Sequence, residues 1–392
     1  MSLISKQANF RALCDRIRQA GIVAFDTEFV AESYYRPKLC LLQFQLPEES
    51  VLVDPFEVRD LSPWWEIMAD EATTIIVHGG REEVRFCYSA TGRPPGKLVD
   101  VQVAEGLLSR GFPLSLGNLV DRVLSQPVNG KETRSNWEHR PLTPHQLEYA
   151  AEDVRHLIRV WQAQSKQLQK LGRKDWAEAE FQRFVSDIVI EEERPGWQRL
   201  PSVSRLKPRE LALAQALWNW RDEKASGLDR PPRQILRDDL LMEMAKRAPK
   251  SARDLSLTRG MERRDYQKYA DEMVDIIRSV EQLPESQLPP RIPQPQLPAQ
   301  DEVLGRILGL ALANRCSELG ISMSLVGTTG DLQHVVRWHV FENRQGPVPK
   351  LLNGWRKEVC GTLLADVLDG KVLIRVADPR SDNPLRFEQR TE

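Results

Sequence analysis

Gly21-Ile22-Val23-Ala24-Phe25-Asp26-Thr27-Glu28-Phe29 is a run of β-branched and aromatic residues that ends in two carboxylates, and it reads as a buried strand with an acidic end. Side chains alternate along a strand, so Ile22, Ala24, Asp26 and Glu28 share one face while Val23, Phe25 and Thr27 share the other. Carboxylates two residues apart on a strand stand roughly 5–7 Å from each other. At the end of an apolar strand they repel and resist desolvation unless a cation lies between them. A divalent metal ion answers that need, although Asp-x-Glu taken alone also fits a strand that simply ends in solvent.

Working outward, Leu39 to Leu46 and Val51 to Asp54 read as two further strands joined by the turn-rich Pro47-Glu48-Glu49-Ser50. Thr73-Thr74-Ile75-Ile76-Val77 is a short β-branched strand that stops at His78-Gly79-Gly80. Helices are expected at 63–69, 81–90, 101–109, 115–124 and from 144 to 165. Strands giving way to helices imply an α/β domain, a mixed sheet flanked by helices.

The helix from 144 has the plainest start, with Thr143 as N-cap, Pro144 in the first position and Gln146 as the capping-box partner. Its apolar stripe is Leu147, Ala150, Ala151, Val154, Leu157, Ile158 and Trp161. Asp153 falls on this stripe one turn after Tyr149, so a phenol and a carboxylate point the same way into the protein. Tyr149 alone reads most simply as a core aromatic with a locally bonded hydroxyl. Asp153 is harder to place, because an inward acid without a cation beside it is costly, Glu152 cannot help it and His156 is a weak partner.

At 392 residues the chain exceeds one ordinary core and implies two or three domains, and 41% hydrophobic with 28% charged residues fits globular material. No apolar run approaches the ~18–20 residues needed to span a bilayer. The opening MSLISKQANFRALCDRIRQA lacks a signal peptide's apolar core and reads as an amphipathic helix, so a cytoplasmic protein with no membrane partner is expected. The five cysteines, Cys14, Cys40, Cys87, Cys316 and Cys360, have no CxxC pairing and argue against a zinc site. A net charge of −1 conceals a split: residues 1–165 carry 18 Lys and Arg against 22 Asp and Glu, whereas residues 205–278 carry 17 against 13. An acidic front that holds metal ions and a basic middle that grips phosphate would divide in this way.

The expected organisation is an α/β domain over 1–170, a helical linker over 171–204 closed by Arg194-Pro195-Gly196, and an all-α unit over 205–283. A proline-rich linker follows at 284–300, with six prolines between Pro284 and Pro298, then a second helical unit at 301–378 and a polar, disordered tail at 379–392.

Asp26-x-Glu28, His78-Gly79-Gly80 and Tyr149-x-x-x-Asp153 together resemble the ribonuclease D family, in the tyrosine-bearing branch of the DEDD superfamily of 3′–5′ exonucleases. The supporting text is Phe25-Asp26-Thr27-Glu28-Phe29-Val30, Ser135-Asn136-Trp137, Arg140-Pro141-Leu142-Thr143 and Glu148-Tyr149-Ala150-Ala151-Glu152-Asp153-Val154. The helical unit after 205 resembles the HRDC nucleic-acid-binding domain, and Leu352-Asn353-Gly354-Trp355-Arg356-Lys357-Glu358 is similar to the end of the family's second, divergent HRDC-like domain. The resemblance covers essentially the whole chain and implies a ribonuclease H-like exonuclease domain followed by two all-α HRDC-like domains.

It also implies chemistry. Four acids would hold two divalent ions, Mg²⁺ or Mn²⁺, with Asp26 bridging both, Glu28 and Asp153 completing the first site, and Tyr149 orienting the attacking water. The second acid departs from the family. Its His-Ala-Gly-x-x-Asp-like segment has an aspartate five residues after the histidine, and here Glu83 stands there with about 1.5 Å more reach. Glu82 points about 100° away on a helix, and Asp100 matches a family aspartate read as structural. Lys131, Arg134 and Arg140 are the expected phosphate contacts, with a solvated surface as the plainer alternative for each. Trp137 is the expected base-stacking residue, with core packing as the plainer alternative. In the first HRDC-like unit Arg230, Arg233, Lys246, Lys250, Arg263, Arg264 and Lys268 are candidates for a phosphate-binding surface.

The expectation is a monomeric 3′–5′ exoribonuclease acting on RNA, with precursor tRNA as the substrate the family suggests and single-stranded nucleic acid as a wider class. Two rivals remain: a nucleic-acid-binding protein on a nuclease fold silenced by Glu83, and a DNA 3′–5′ exonuclease, since the same acids cleave either backbone.

Overall fold

The computed structural model of the chain describes residues 2–127, 135–293 and 298–390. Its core is a six-stranded mixed sheet made of β1 (Ser2–Ile4), β2 (Ile22–Val30), β3 (Lys38–Gln45), β4 (Ser50–Val53), β5 (Thr74–Val77) and β6 (Leu98–Asp100), in the order β1-β4-β3-β2-β5-β6. β2 lies inside the sheet, antiparallel to β3 and parallel to β5. Val23, Ala24 and Phe25 are fully buried, as continuous apolar text in an interior strand requires.

Among the described residues eight helices belong to this domain: α1 (Gln7–Ala20), α2 (Ser62–Met68), α3 (Arg81–Thr91), α4 (Val101–Gly106), α5 (Leu116–Leu124), α6 (Pro144–Arg155), α7 (Leu157–Lys170) and α8 (Lys174–Glu193). The alternation of β2 sorts them into two layers. On the Val23 and Phe25 side lie α1, α2 and α3, where the Phe25 ring packs against Phe44, Trp64 and Trp65 with centroids 5.1, 4.6 and 6.0 Å away. On the Ala24 and Asp26 side lie α4, α5 and α7, with α6 across β2, β3 and β4. The register of β2 against β3 shifts between Glu28 and Phe29, an irregularity that re-aims the strand where its acids lie.

Several boundaries differ from the sequence reading. The edge strand β1 precedes the N-terminal helix. The helix expected from 144 to 165 is two helices meeting at His156, whose Nε2 lies 3.0 Å from Glu152 Oε1. The expected linker contains α8, which is part of the core: Ala177 and Phe181 face α7, and Val185 and Ile188 join the Phe25 cluster.

The first helical unit is built on α9 (Pro208–Gly227), with Leu211, Leu217, Leu241, Met244 and Ile277 in its core. Leu288 and Ile292 of the proline-rich segment pack against that core, so the segment is docked as far as it is described. The second unit, opened by the helix Ala299–Leu319, shares a core with the exonuclease domain: Leu308, Leu312, Leu325 and Val326 meet Ala104, Leu107 and Leu119. Glu180 of α8, buried, takes Arg356 at 2.8 Å and the Trp355 indole at 3.3 Å. The tail read as disordered supplies β8 (Leu385–Gln389), which pairs with β7 (Val372–Val376) of the second unit in a hairpin. All five cysteines are buried free thiols, and no described helix is long and apolar enough to cross a membrane.

Candidate active site

Asp26 and Glu28 lie on the face of β2 that α6 crosses. α6 is fixed by its start: Thr143 Oγ1 accepts from Gln146 N at 3.2 Å, and Gln146 Oε1 accepts from Thr143 N at 3.0 Å. With Ala150, Ala151 and Val154 buried beneath it, the helix turns Tyr149 and Asp153 toward the strand's acids. The Tyr149 ring packs 6.2 Å from that of Trp137, and its phenol lies beside the Asp153 carboxyl. Two basic groups nearby are taken by other acids: Arg155 by Glu148 and Glu152, and His156 by Glu152.

The fourth acid comes from the opposite layer. The turn at His78-Gly79-Gly80 needs its glycines, because Gly79 has φ +69° and a Cβ on Gly80 would lie 2.3 Å from Val77 Cγ2. Fully buried Asp100 accepts from the backbone N–H groups of Gly79, Gly80, Gln102 and Val103 at 3.1, 3.1, 2.9 and 3.4 Å. This carboxylate pins the start of α3. One turn into α3, buried Glu83 receives Thr27 Oγ1 on its Oε1 at 2.5 Å. Glu82 faces away and pairs with Arg85.

The four acids burden one another. Burial raises the pKa of Asp26 well above the ordinary carboxylate range, and the charges of Glu83, Asp153 and Glu28 add to it. Glu28 is raised to about 8, by burial and then by Asp153. Glu83 is raised to about 7 by burial, against the Thr27 hydrogen bond, and Asp153 to about 7 by burial, against the Tyr149 hydrogen bond. Burial and the neighbouring carboxylates also raise Tyr149, so its phenol stays protonated.

Such a group is short of positive charge. The donors are all oxygen, which suits a hard divalent cation such as Mg²⁺ or Mn²⁺ and not zinc. Among the described residues no three His, Cys, Asp or Glu side chains stand close enough to clasp an ion as they are.

The expected substrate contacts fare differently. Arg140 is not free to meet a phosphate, since all five of its N–H groups are engaged: Nε and Nη2 by Asp54 at 2.6 and 2.9 Å, Nη2 also by the Cys40 carbonyl, and Nη1 by the Trp137 and His139 carbonyls. Trp137 is 5% exposed and packs with Leu41, Leu52 and Leu142, so it is a core residue and no stacking platform. Lys131 and Arg134 lie outside the described residues. In the first helical unit Arg233 pairs with Asp238 at 3.0 Å, and Arg263 and Lys268 stand over the rings of Tyr266 and Tyr269. The sequence reading missed Gln43, which β3 sets directly opposite Asp26. Its one signal was a polar residue between Leu42 and Phe44 in an apolar strand.

Residues 1–169 match the 3′–5′ exonuclease family, and residues 210–277 match the HRDC domain family. Over 384 residues the chain is 29% identical to ribonuclease D of Sphingobium indicum, covering 96% of this chain and 97% of that protein. It is likewise 29% identical to ribonuclease D of Pseudomonas paraeruginosa over 367 residues, covering 93% and 97%. The crystal structure of Escherichia coli RNase D, described as an exoribonuclease involved in structured RNA processing, superposes with a TM-score of 0.81 at 26% identity, covering 94% of this chain and 98% of that one.

Proposed function

The chain belongs to the ribonuclease D family of 3′–5′ exoribonucleases, and on that premise we propose that Asp26, Glu28, Glu83 and Asp153 hold two divalent cations, Mg²⁺ or Mn²⁺, at which RNA is shortened from its 3′ end. One observation carries this reading: four acids from both faces of β2 converge at one strand end, each with its pKa raised by burial. When bound, the cations supply the positive charge that activates the attacking water and stabilises the departing 3′ oxygen.

The chain's own residues do the rest. Asp26, which feels the charge of the other three acids, would be the one to serve both ions. Glu28 and Asp153 face it from its own strand and from α6, and Glu83 reaches it from α3. Tyr149, kept protonated beside Asp153, would orient the attacking water.

For substrate, the reading favours structured RNA with a 3′ extension, precursor tRNA among them, in keeping with the description of the Escherichia coli enzyme. A cleft of about 880 Å³ between the exonuclease domain and the first helical unit supports this, since Arg36, Arg199, Tyr88 and Trp218 line it, while Arg85 and Arg233 on its wall are paired with Glu82, Glu192 and Asp238. Guanidinium and aromatic groups together suit a single-stranded backbone with exposed bases. The test is digestion of a 3′-extended tRNA precursor with Mn²⁺, beside the same sequence as DNA. Faster loss of the RNA tail by the wild type, and none by Asp153→Ala, is expected. Equal cleavage of the DNA would overturn the substrate assignment.

A further inference from the structure

Gln43 is fully buried in β3 and stands directly opposite Asp26 in the antiparallel register. Directly opposed residues share a face, so its amide lies among the acids. Nε2 donates to Glu28 Oε1 at 3.5 Å, and Oε1 is buried with no hydrogen-bond partner among the described residues. Reversing the amide would set its carbonyl against the Glu28 carboxylate and orphan the NH₂ instead, so this orientation is the favoured one.

The setting is otherwise apolar. Leu41 shares the face on β3, Leu52 is the cross-strand partner on β4, and both are fully buried. A methionine or leucine would fill position 43 without an orphaned carbonyl, and a buried unsatisfied acceptor costs stability. The fold therefore gains nothing from this amide, and its one polar contact is with an acid of the site.

We infer that Gln43 is a positioning residue of the acid site: its N–H holds the Glu28 carboxylate on the Asp26 side of the strand, where repulsion from Asp26 and Asp153 would otherwise displace it. Outer groups that orient a ligand typically carry about 10- to 100-fold in metal affinity or activity. The inference rests on the reading of the four acids as a cation site.

The test compares full-length wild type, Gln43→Met and Asp26→Ala, with Mn²⁺ alone as probe, by calorimetric titration and by thermal melting in EDTA. Gln43→Met is expected to melt no lower than the wild type, to bind Mn²⁺ at least tenfold more weakly, and to regain most of its turnover at saturating Mn²⁺. Wild-type Mn²⁺ affinity in Gln43→Met, or a lowered melting temperature with unchanged affinity, would overturn the inference and leave Gln43 a packing residue. If Gln43→Met fails to fold, Gln43→Asn, whose amide is one methylene too short to reach Glu28, serves in the same titration with the same expected loss. If the wild type itself binds no Mn²⁺, the cation-site reading fails and the inference falls with it, whereas tight binding by both proteins removes the inference alone.

Discussion

Thr27 Oγ1 donates a 2.5 Å hydrogen bond to Glu83 Oε1, with both side chains buried. Thr27 lies between Asp26 and Glu28 in sequence but faces the α3 layer, so the residue separating two acids of the site anchors a third. The longer arm of glutamate reaches this hydroxyl from α3 and leaves Oε2 for the site. Thr27→Val removes the donor and strands a buried carboxylate, which should lower stability by about 1–3 kcal/mol and loosen divalent-ion binding. Thr27→Ser should restore both. Denaturant unfolding and Mn²⁺ titration of the two variants check this, and a Thr27→Val protein with unchanged ion binding would remove Thr27 from the account.

Asp26 bears the repulsion of three other acids without a cation to relieve it. Asp26→Asn should therefore raise the melting temperature of the metal-free protein while cutting RNA cleavage by roughly 10³-fold or more, several kcal/mol of lost charge stabilisation. Melting in EDTA beside single-turnover cleavage separates the two effects. A lower melting temperature would show that Asp26 is needed for the fold itself.

The raised carboxyl groups set the pH dependence. Glu28 near 8, and Glu83 and Asp153 near 7, hold protons in the folded state at pH values where the unfolded chain has released them. Stability from these groups is present in full below the ordinary carboxylate pKa and is lost as pH rises through 7 to 8. The metal-free melting temperature should fall across that window, and Asp153→Asn should flatten the fall. Mn²⁺ binding near neutral pH should release protons, read as a dependence of the titration heat on the buffer's ionisation enthalpy.

Tyr149 touches the site through its hydroxyl alone, while its ring packs on Trp137. Tyr149→Phe should keep the fold and the RNA affinity and lower turnover by about 10- to 100-fold. Equal turnover in the variant would make Tyr149 a packing residue only.

Arg140 ties the loop before α6 to β3 and to buried Asp54. Arg140→Ala should cost about 3 kcal/mol, as for one partner of a largely buried pair, and leave RNA affinity unchanged where the protein remains folded. A large loss of RNA affinity without loss of stability would return Arg140 to the substrate contacts.

What was legible in the sequence was whatever a single element's period fixes. Asp26 and Glu28 share a face because strands repeat every two residues, and Tyr149 and Asp153 because helices repeat every three to four. Glu83 is legible only through the resemblance, as the residue standing where the family's His-Ala-Gly-x-x-Asp-like segment has its aspartate. What sequence reading lost depends on contacts between elements. Arg140 reads as a loop cation until Asp54 and the Cys40 carbonyl, distant in sequence, close around it. Trp137 stays open between base stacking and core packing until α6 folds over it, and Gln43 shows no purpose until the register sets it against Asp26. The placement of α8 follows the same rule, since its charged text hides an inner face that only the sheet completes.

The most direct measurement is Mn²⁺-dependent digestion of a 3′-extended RNA by the wild type, Glu83→Asp and Asp26→Ala side by side. The account predicts that the wild type shortens the RNA one nucleotide at a time from the 3′ end, that Glu83→Asp does so at a rate within about tenfold, and that Asp26→Ala leaves it intact. Cleavage by Glu83→Asp alone would contradict it, showing that Thr27 holds Glu83 out of reach and that the natural protein binds RNA without cutting it. Cleavage by Asp26→Ala would contradict it outright.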